Sequence, residues 1–234
     1  MRIDKFFSSQ EILSRREVDL YIKSGRIKVN GEKIKKSAQN INENNDIITL
    51  DDNPIIYKPY IYIMLNKPQG VVSATDDKIN KTVLDLVPPN LYRSDLFPAG
   101  RLDKDSVGFV LLTNDGDFAH KMLAPKSKVS KTYNVRLDAK ISQKEILTVE
   151  NGVTLVDGTK LKPCSVKLLE DTDTPLLEVI IIEGKYHQIK RMFGVVDKGV
   201  NYLKRVAIGN MKLDENLAES ECKEILHKDL ILIL

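Results

Sequence analysis

Gly100-Arg101-Leu102-Asp103-Lys104-Asp105-Ser106-Val107-Gly108-Phe109-Val110-Leu111-Leu112-Thr113 joins a glycine-bounded loop to an unbroken apolar run. The run from Val107 to Thr113 is short and rich in branched and aromatic residues, which predicts a strand. The loop sets Asp103 between Arg101 and Lys104, so one carboxylate is held among cations just ahead of that strand. Taken alone, Gly100 and Asp103 also suit an ordinary turn. The rest of the chain decides between the two readings.

Outward from this loop the apolar spacing alternates between strand-like and helix-like. Strands are expected over 60–65, 131–137, 165–169, 176–182 and 202–208, and helices over 117–123, 143–149 and 187–196. Asn66-Lys67-Pro68-Gln69-Gly70 ends the first of these strands in a turn. There is neither a fixed-period repeat nor a strict strand-helix alternation. The expected fold class is therefore α+β, with a mixed, mainly antiparallel sheet flanked by helices.

A chain of 234 residues can bury one good core and a smaller module. Its 29% charged and 42% hydrophobic residues are those of a globular protein, and no apolar stretch is long enough to span a bilayer. Met1-Arg2-Ile3-Asp4-Lys5 places charge where a secretory signal has its apolar segment, so a cytoplasmic location is expected. Cys164 and Cys222 stand apart from any His or Cys partner, which argues against a disulfide framework and a zinc site. The net charge of +3 is uneven. Residues 1–40 hold ten Lys/Arg against five Asp/Glu, leaving 26 against 28 for the remainder, as expected of a basic handle for a polyanion on a near-neutral body.

Within that handle, Ile3, Phe6 and Phe7 share one helical face. Ser14-Arg15-Arg16-Glu17 is a capping box opening a second helix that ends at Gly25. Arg26-Ile27-Lys28-Val29 then alternates basic and apolar residues, and Asn30-Gly31 signals a tight hairpin. This helix-helix-hairpin pattern over residues 1–47 resembles the S4 RNA-binding domain. The resemblance implies recognition of structured RNA through Arg15, Arg16, Arg26 and Lys28. Residues 48–59, with Asp51, Asp52, Pro54 and Pro59, are expected to form a linker, and 60–234 the larger domain.

Four segments of the larger domain together resemble the RsuA-type pseudouridine synthases of ribosomal RNA, closest to the small-subunit branch. They are Met64-Leu65-Asn66-Lys67-Pro68-Gln69-Gly70, Gly100-Arg101-Leu102-Asp103 with the following 108–116, Lys131-Thr132-Tyr133, and Glu183-Gly184-Lys185-Tyr186-His187-Gln188-Ile189-Lys190-Arg191-Met192. The resemblance implies that Asp103 is the catalytic carboxylate, acting as nucleophile at C1′ or as base at the 2′ proton. It implies that Lys190 opposes the charge of Asp103, that Tyr133 packs against the uracil, and that Arg101 helps to open the RNA. His187 is implied to be a supporting residue outside the catalytic set. The reaction has no net redox change, so no cofactor and no metal are expected. The implied partner is ribosomal RNA, within an assembling small subunit or free, acted on by a monomer. A large-subunit substrate and a non-catalytic assembly factor are the alternatives. Asp103, Asp105, Asp115 and Asp117 form two D-x-D pairs that could serve a metal-dependent nuclease, but no third acidic or His-rich cluster supports one, and Asp117 is available to cap a helix.

Overall fold

The structure, a computed structural model, describes residues 1–234. The chain divides into two compact units, one of residues 1–61 joined by Tyr92–Asp95, the other of residues 62–91 and 96–234.

In the first unit, helix α1 (Ile3–Ser8) turns Ile3, Phe6 and Phe7 inward, and Phe6 stacks on Tyr57 at 5.5 Å between ring centroids. Helix α2 (Arg15–Lys23) opens on the predicted capping box: Glu17 N donates to Ser14 Oγ at 3.3 Å, and Ser14 N donates to Glu17 Oε2 at 2.7 Å. It buries Val18 and Ile22 against α1. Full burial of an aliphatic or aromatic side chain of this size contributes about 1.5–3 kcal/mol relative to exposure. Strands β1 (Ile27–Val29) and β2 (Glu32–Lys33) are joined by Asn30 and Gly31, both at positive φ (53° and 83°), as a type I′ turn requires.

Residues 48–54 correct the expected linker. Strand β3 (Ile48–Leu50) pairs antiparallel with β1, and β4 (Asn53–Pro54) pairs with β3, giving the sheet order β2-β1-β3-β4. Ile48 is buried in the same core as Ile27. Asp51 and Asp52 make the turn between the strands in the left-handed region, φ 51° and 64°, where short polar side chains stand in for glycine. Acidic and proline residues thus mark a hairpin here, not a spacer.

The second unit is a nine-stranded sheet, mainly antiparallel, with helices against it. Its elements in chain order are β5 (Tyr62–Lys67), β6 (Phe97–Ala99), β7 (Val107–Thr113), α3 (Gly116–Leu123), β8 (Lys131–Leu137), α4 (Gln143–Glu150), β9 (Ser165–Glu170), β10 (Leu176–Ile181), α5 (Gln188–Gly194), β11 (Val200–Ile208), β12 (Met211–Lys212) and β13 (Cys222–Glu224). The order is β13-β5-β7-β11-β8-β10-β9, with β6 on β7 and β12 on β11. Only β7 and β11 run parallel. Every residue of β7 is buried, because the strand lies inside the sheet with both faces covered.

Gly108 is required at the β7–β11 junction. Its φ is +99°, and a Cβ there would sit 2.3 Å from the backbone oxygen of Arg205. The N-terminus of α3 is capped by Asp115, not by Asp117 as the sequence suggested: Asp115 Oδ1 accepts from Phe118 N at 2.9 Å, and its Oδ2 accepts from the Tyr62 hydroxyl at 2.5 Å. Asp115 is thereby committed to a structural role that a D-x-D metal site would have to break.

Candidate active site

The loop between β6 and β7 is fixed from below by three side chains of the same unit. Lys67, on β5, is fully buried, and its ammonium donates to the backbone oxygens of Ser106 (2.7 Å), Pro68 (3.1 Å) and Lys104 (3.3 Å). Ser73 Oγ donates to Leu102 O at 2.9 Å and accepts from Leu102 N at 3.1 Å. Arg205, buried on β11, donates from Nε to Phe109 O at 2.7 Å and from Nη2 to Gly100 O at 2.9 Å. The carbonyls on either side of Asp103 and Asp105 are thus held by the Lys67 ammonium and the Ser73 hydroxyl, the charged donor making the stronger bonds. Burial pushes the Lys67 amine down to about 8, against the opposing pull of Asp105 and Asp103. Arg205 adds to that depression and, with burial, also lowers Lys131.

Above this support lies a cavity of about 410 Å³, lined by Gln69, Gly70, Asp103, Lys104, Asp105, His187 and Lys190. That volume is in the range of pockets that take a small organic ligand. Asp103 is half-buried, with Oδ1 3.4 Å from His187 Nε2. Lys190 Nζ donates to Asp105 Oδ2 at 2.5 Å, and this bond holds the Asp105 carboxyl below its ordinary range.

The structure therefore brings Asp103 and Lys190 to one cavity but pairs them differently from the sequence expectation. Lys190 reaches Asp105, and Asp103 faces the His187 imidazole. The reason is local: His187 is the residue before α5 and turns toward Asp103, while Lys190, one turn along, meets the more exposed Asp105. Asp105, which the sequence resemblance gives no role, is part of the cavity wall. Tyr133 does not line the cavity. It is buried on β8, opposite Arg205 in register, so it connects to the loop through the guanidinium that braces Gly100. Arg101 is exposed and makes no side-chain hydrogen bond or ion pair, so the bracing of loop carbonyls falls to Arg205.

In the N-terminal unit, Arg15 and Arg16 are exposed on α2 without a partner. Arg26 and Lys28 differ from them. Arg26 makes two bonds to the Asp51 carboxylate, at 2.6 and 2.5 Å, and lies 3.9 Å over the Tyr21 ring, while Lys28 donates to Asp52 at 2.5 Å. The β3–β4 turn thus neutralises half of the basic set expected to meet RNA.

Residues 61–194 match the family described as RNA pseudouridylate synthase, and residues 1–47 match the S4 domain. The chain belongs to the RNA pseudouridylate synthase family. This synthase is 42% identical to the uncharacterized RNA pseudouridine synthase YtzG of Bacillus subtilis, over 100% of this chain and 98% of the relative. It is 36% identical to ribosomal small subunit pseudouridine synthase A of Escherichia coli, over 98% of each chain. A crystal structure of a pseudouridylate synthase superposes with a TM-score of 0.69 at 33% identity, covering 100% of both chains. The synthase is thus an RNA pseudouridine synthase with an N-terminal S4 domain.

Proposed function

We propose that this synthase isomerises a uridine of small-subunit ribosomal RNA to pseudouridine in the cytoplasm, acting as a monomer without a cofactor, with Asp103 as the essential carboxylate. The observation that carries the reading is the half-buried Asp103 facing a 410 Å³ cavity from a loop whose neighbouring carbonyls are fixed by Lys67, Ser73 and Arg205. The full-length likeness to small subunit synthase A supports the choice of substrate.

The reaction breaks the bond from C1′ to N1, turns the uracil, and joins C1′ to C5. The C5 proton is lost and N1 gains one, so atoms and electrons balance. A carboxylate can serve as nucleophile at C1′ or as base at the 2′ position. Either role needs Asp103 ionised. The target must leave the base stack before C1′ is reachable. Arg101, exposed and unpaired beside the loop, is suited to the space it vacates, while Tyr133, buried opposite Arg205, supports the loop through the guanidinium that braces Gly100 and does not meet the uracil. Arg15 and Arg16 of the S4 domain anchor RNA through phosphates, whose contribution weakens as salt rises.

The test is pseudouridine mapping of rRNA from cells with and without the gene, complemented by the wild type or by Asp103→Asn. One uridine of the small-subunit RNA is expected to lose modification in the deletion and to recover it only with the wild type. A change confined to large-subunit RNA contradicts the substrate, and no change in either favours a binding-only assembly factor.

A further inference from the structure

Tyr186 is the most exposed of the large aromatic side chains, at 74%. It is not loose. Its ring lies on the His187 imidazole at 3.8 Å between centroids and 17° between planes. The turn that carries it is tied at both ends by the buried side chain of Gln188, whose Oε1 accepts from Lys185 N at 2.9 Å and whose Nε2 donates to Glu183 Oε1 at 3.0 Å. Arg191 Nη1 donates to Tyr186 O at 3.3 Å. His187 itself sits at φ 48° and ψ 35°, a left-handed conformation that a residue with a Cβ adopts only when its surroundings hold it there. One face of the phenol is covered by the imidazole, and the other is open.

The surroundings say what that open face suits. His187 is a wall of the cavity and lies 3.4 Å from Asp103, and Lys104 and Lys190, whose ammonium groups are held by Asn80 and Asp105, line the same cavity. A rigid aromatic face next to fixed cations is the combination that binds single-stranded nucleic acid, because every base has a π-face and every linker a phosphate. An aromatic ring already held in place by its turn loses little freedom on binding.

Resting on the reading of this chain as an rRNA uridine isomerase, we propose that the outer face of Tyr186 is a docking site for an unpaired nucleobase of the substrate strand next to the flipped uridine. The base completes a three-layer stack of nucleobase, Tyr186 and His187 whose inner member lies against Asp103. Tyr186 is thereby a substrate-positioning residue: it does not touch the reacting atoms but sets where the strand lies relative to the carboxylate.

The chain has no tryptophan, so Tyr186→Trp gives it a single reporter at the site. With a transcript of small-subunit rRNA as probe, its emission is expected to be quenched on binding. Tyr186→Ala is expected to weaken substrate binding tenfold to a hundredfold, the range of one lost base-aromatic stack, with a smaller effect on the single-turnover rate at saturating enzyme. Tyr186→Phe is expected to retain wild-type behaviour, which a role for the hydroxyl would not allow. An unquenched tryptophan in a variant that still turns over the transcript overturns this inference alone. A transcript that the wild type binds but never modifies overturns instead the functional reading on which it rests.

Discussion

Replacing Lys67 with Met removes the cation beneath the catalytic loop while keeping the length of the side chain. Three carbonyls, on Ser106, Pro68 and Lys104, lose their donor; the first of these bonds is buried and the other two are part-buried. Leaving the buried Ser106 acceptor unpaired costs about 1–3 kcal/mol, and the two part-buried acceptors, which water can reach, cost less. Against that, displacing the amine from its ordinary 10.5 to about 8 corresponds to about 3 kcal/mol of unfavourable burial that Met does not bear. The two effects are of similar size, so the net change in stability is expected to be small, within roughly 2 kcal/mol of zero. The loss of activity is expected to be larger. Two of the three freed carbonyls belong to residues adjacent to Asp103 or Asp105, and a shift of about 1 Å in a reacting group can slow a reaction a hundredfold.

The assay pairs urea unfolding with single-turnover pseudouridine formation. The pH dependence adds a signature. Below pH 8 both the folded and unfolded chains carry the Lys67 proton, so it adds no slope. Between about 8 and 10.5 the unfolded chain binds a proton that the folded one has released, so this residue makes stability rise with pH. Lys131, lowered by burial, Tyr202, raised by burial, and the two cysteines, whose thiols burial raises to about 11, are common to both proteins, so the difference between wild type and Lys67→Met isolates the lysine. Wild-type turnover in the variant, or identical stability profiles above pH 8, refutes the reasoning.

Three further outcomes are expected. Lys190→Met should slow turnover at least tenfold, more than it weakens RNA binding, and should return the Asp105 carboxyl toward its ordinary range, readable by NMR titration. Arg15→Glu with Arg16→Glu should weaken RNA binding and flatten its salt dependence by about one to two ions, whereas Arg26→Gln, whose charge is already paired with Asp51, should do less in the same filter-binding series. Gly108→Ala should destabilise the large domain by several kcal/mol in thermal unfolding, since neither the positive φ nor the 2.3 Å approach of the Arg205 oxygen admits a methyl group.

Much of the fold could be read from spacing. Val107 to Thr113 and Lys131 to Leu137 are strands over the predicted residues, and both N-terminal helices carry the predicted apolar faces. The short strands β6, β12 and β13 left no trace, since two or three residues are too few to establish a period. The β3–β4 hairpin was hidden because aspartates supply its left-handed turn. At the site, Asp103 and Lys190 line one cavity while Tyr133 does not, and the pairing of Lys190 with Asp105 depends on where α5 begins, a detail that sequence spacing resolves only to within a few residues. Arg205 had a signal that went unread: it occupies an inward position of β11 between Leu203 and Ala207, and a cation in an apolar period of two needs buried acceptors, here Phe109 O and Gly100 O. Lys67 had the same signal at the end of β5, masked by the Pro-Gln-Gly turn that follows it.

The central claim is that Asp103 is the carboxylate that acts on the uridine. Purified Asp103→Asn keeps the shape of the loop and removes only the charge, so it is the most direct probe. With small-subunit rRNA in single turnover, the variant is expected to bind as tightly as the wild type and to form no pseudouridine. Pseudouridine formed at a rate near that of the wild type would contradict the account, because no other carboxylate on the cavity wall except Asp105, already paired with Lys190, could take its place.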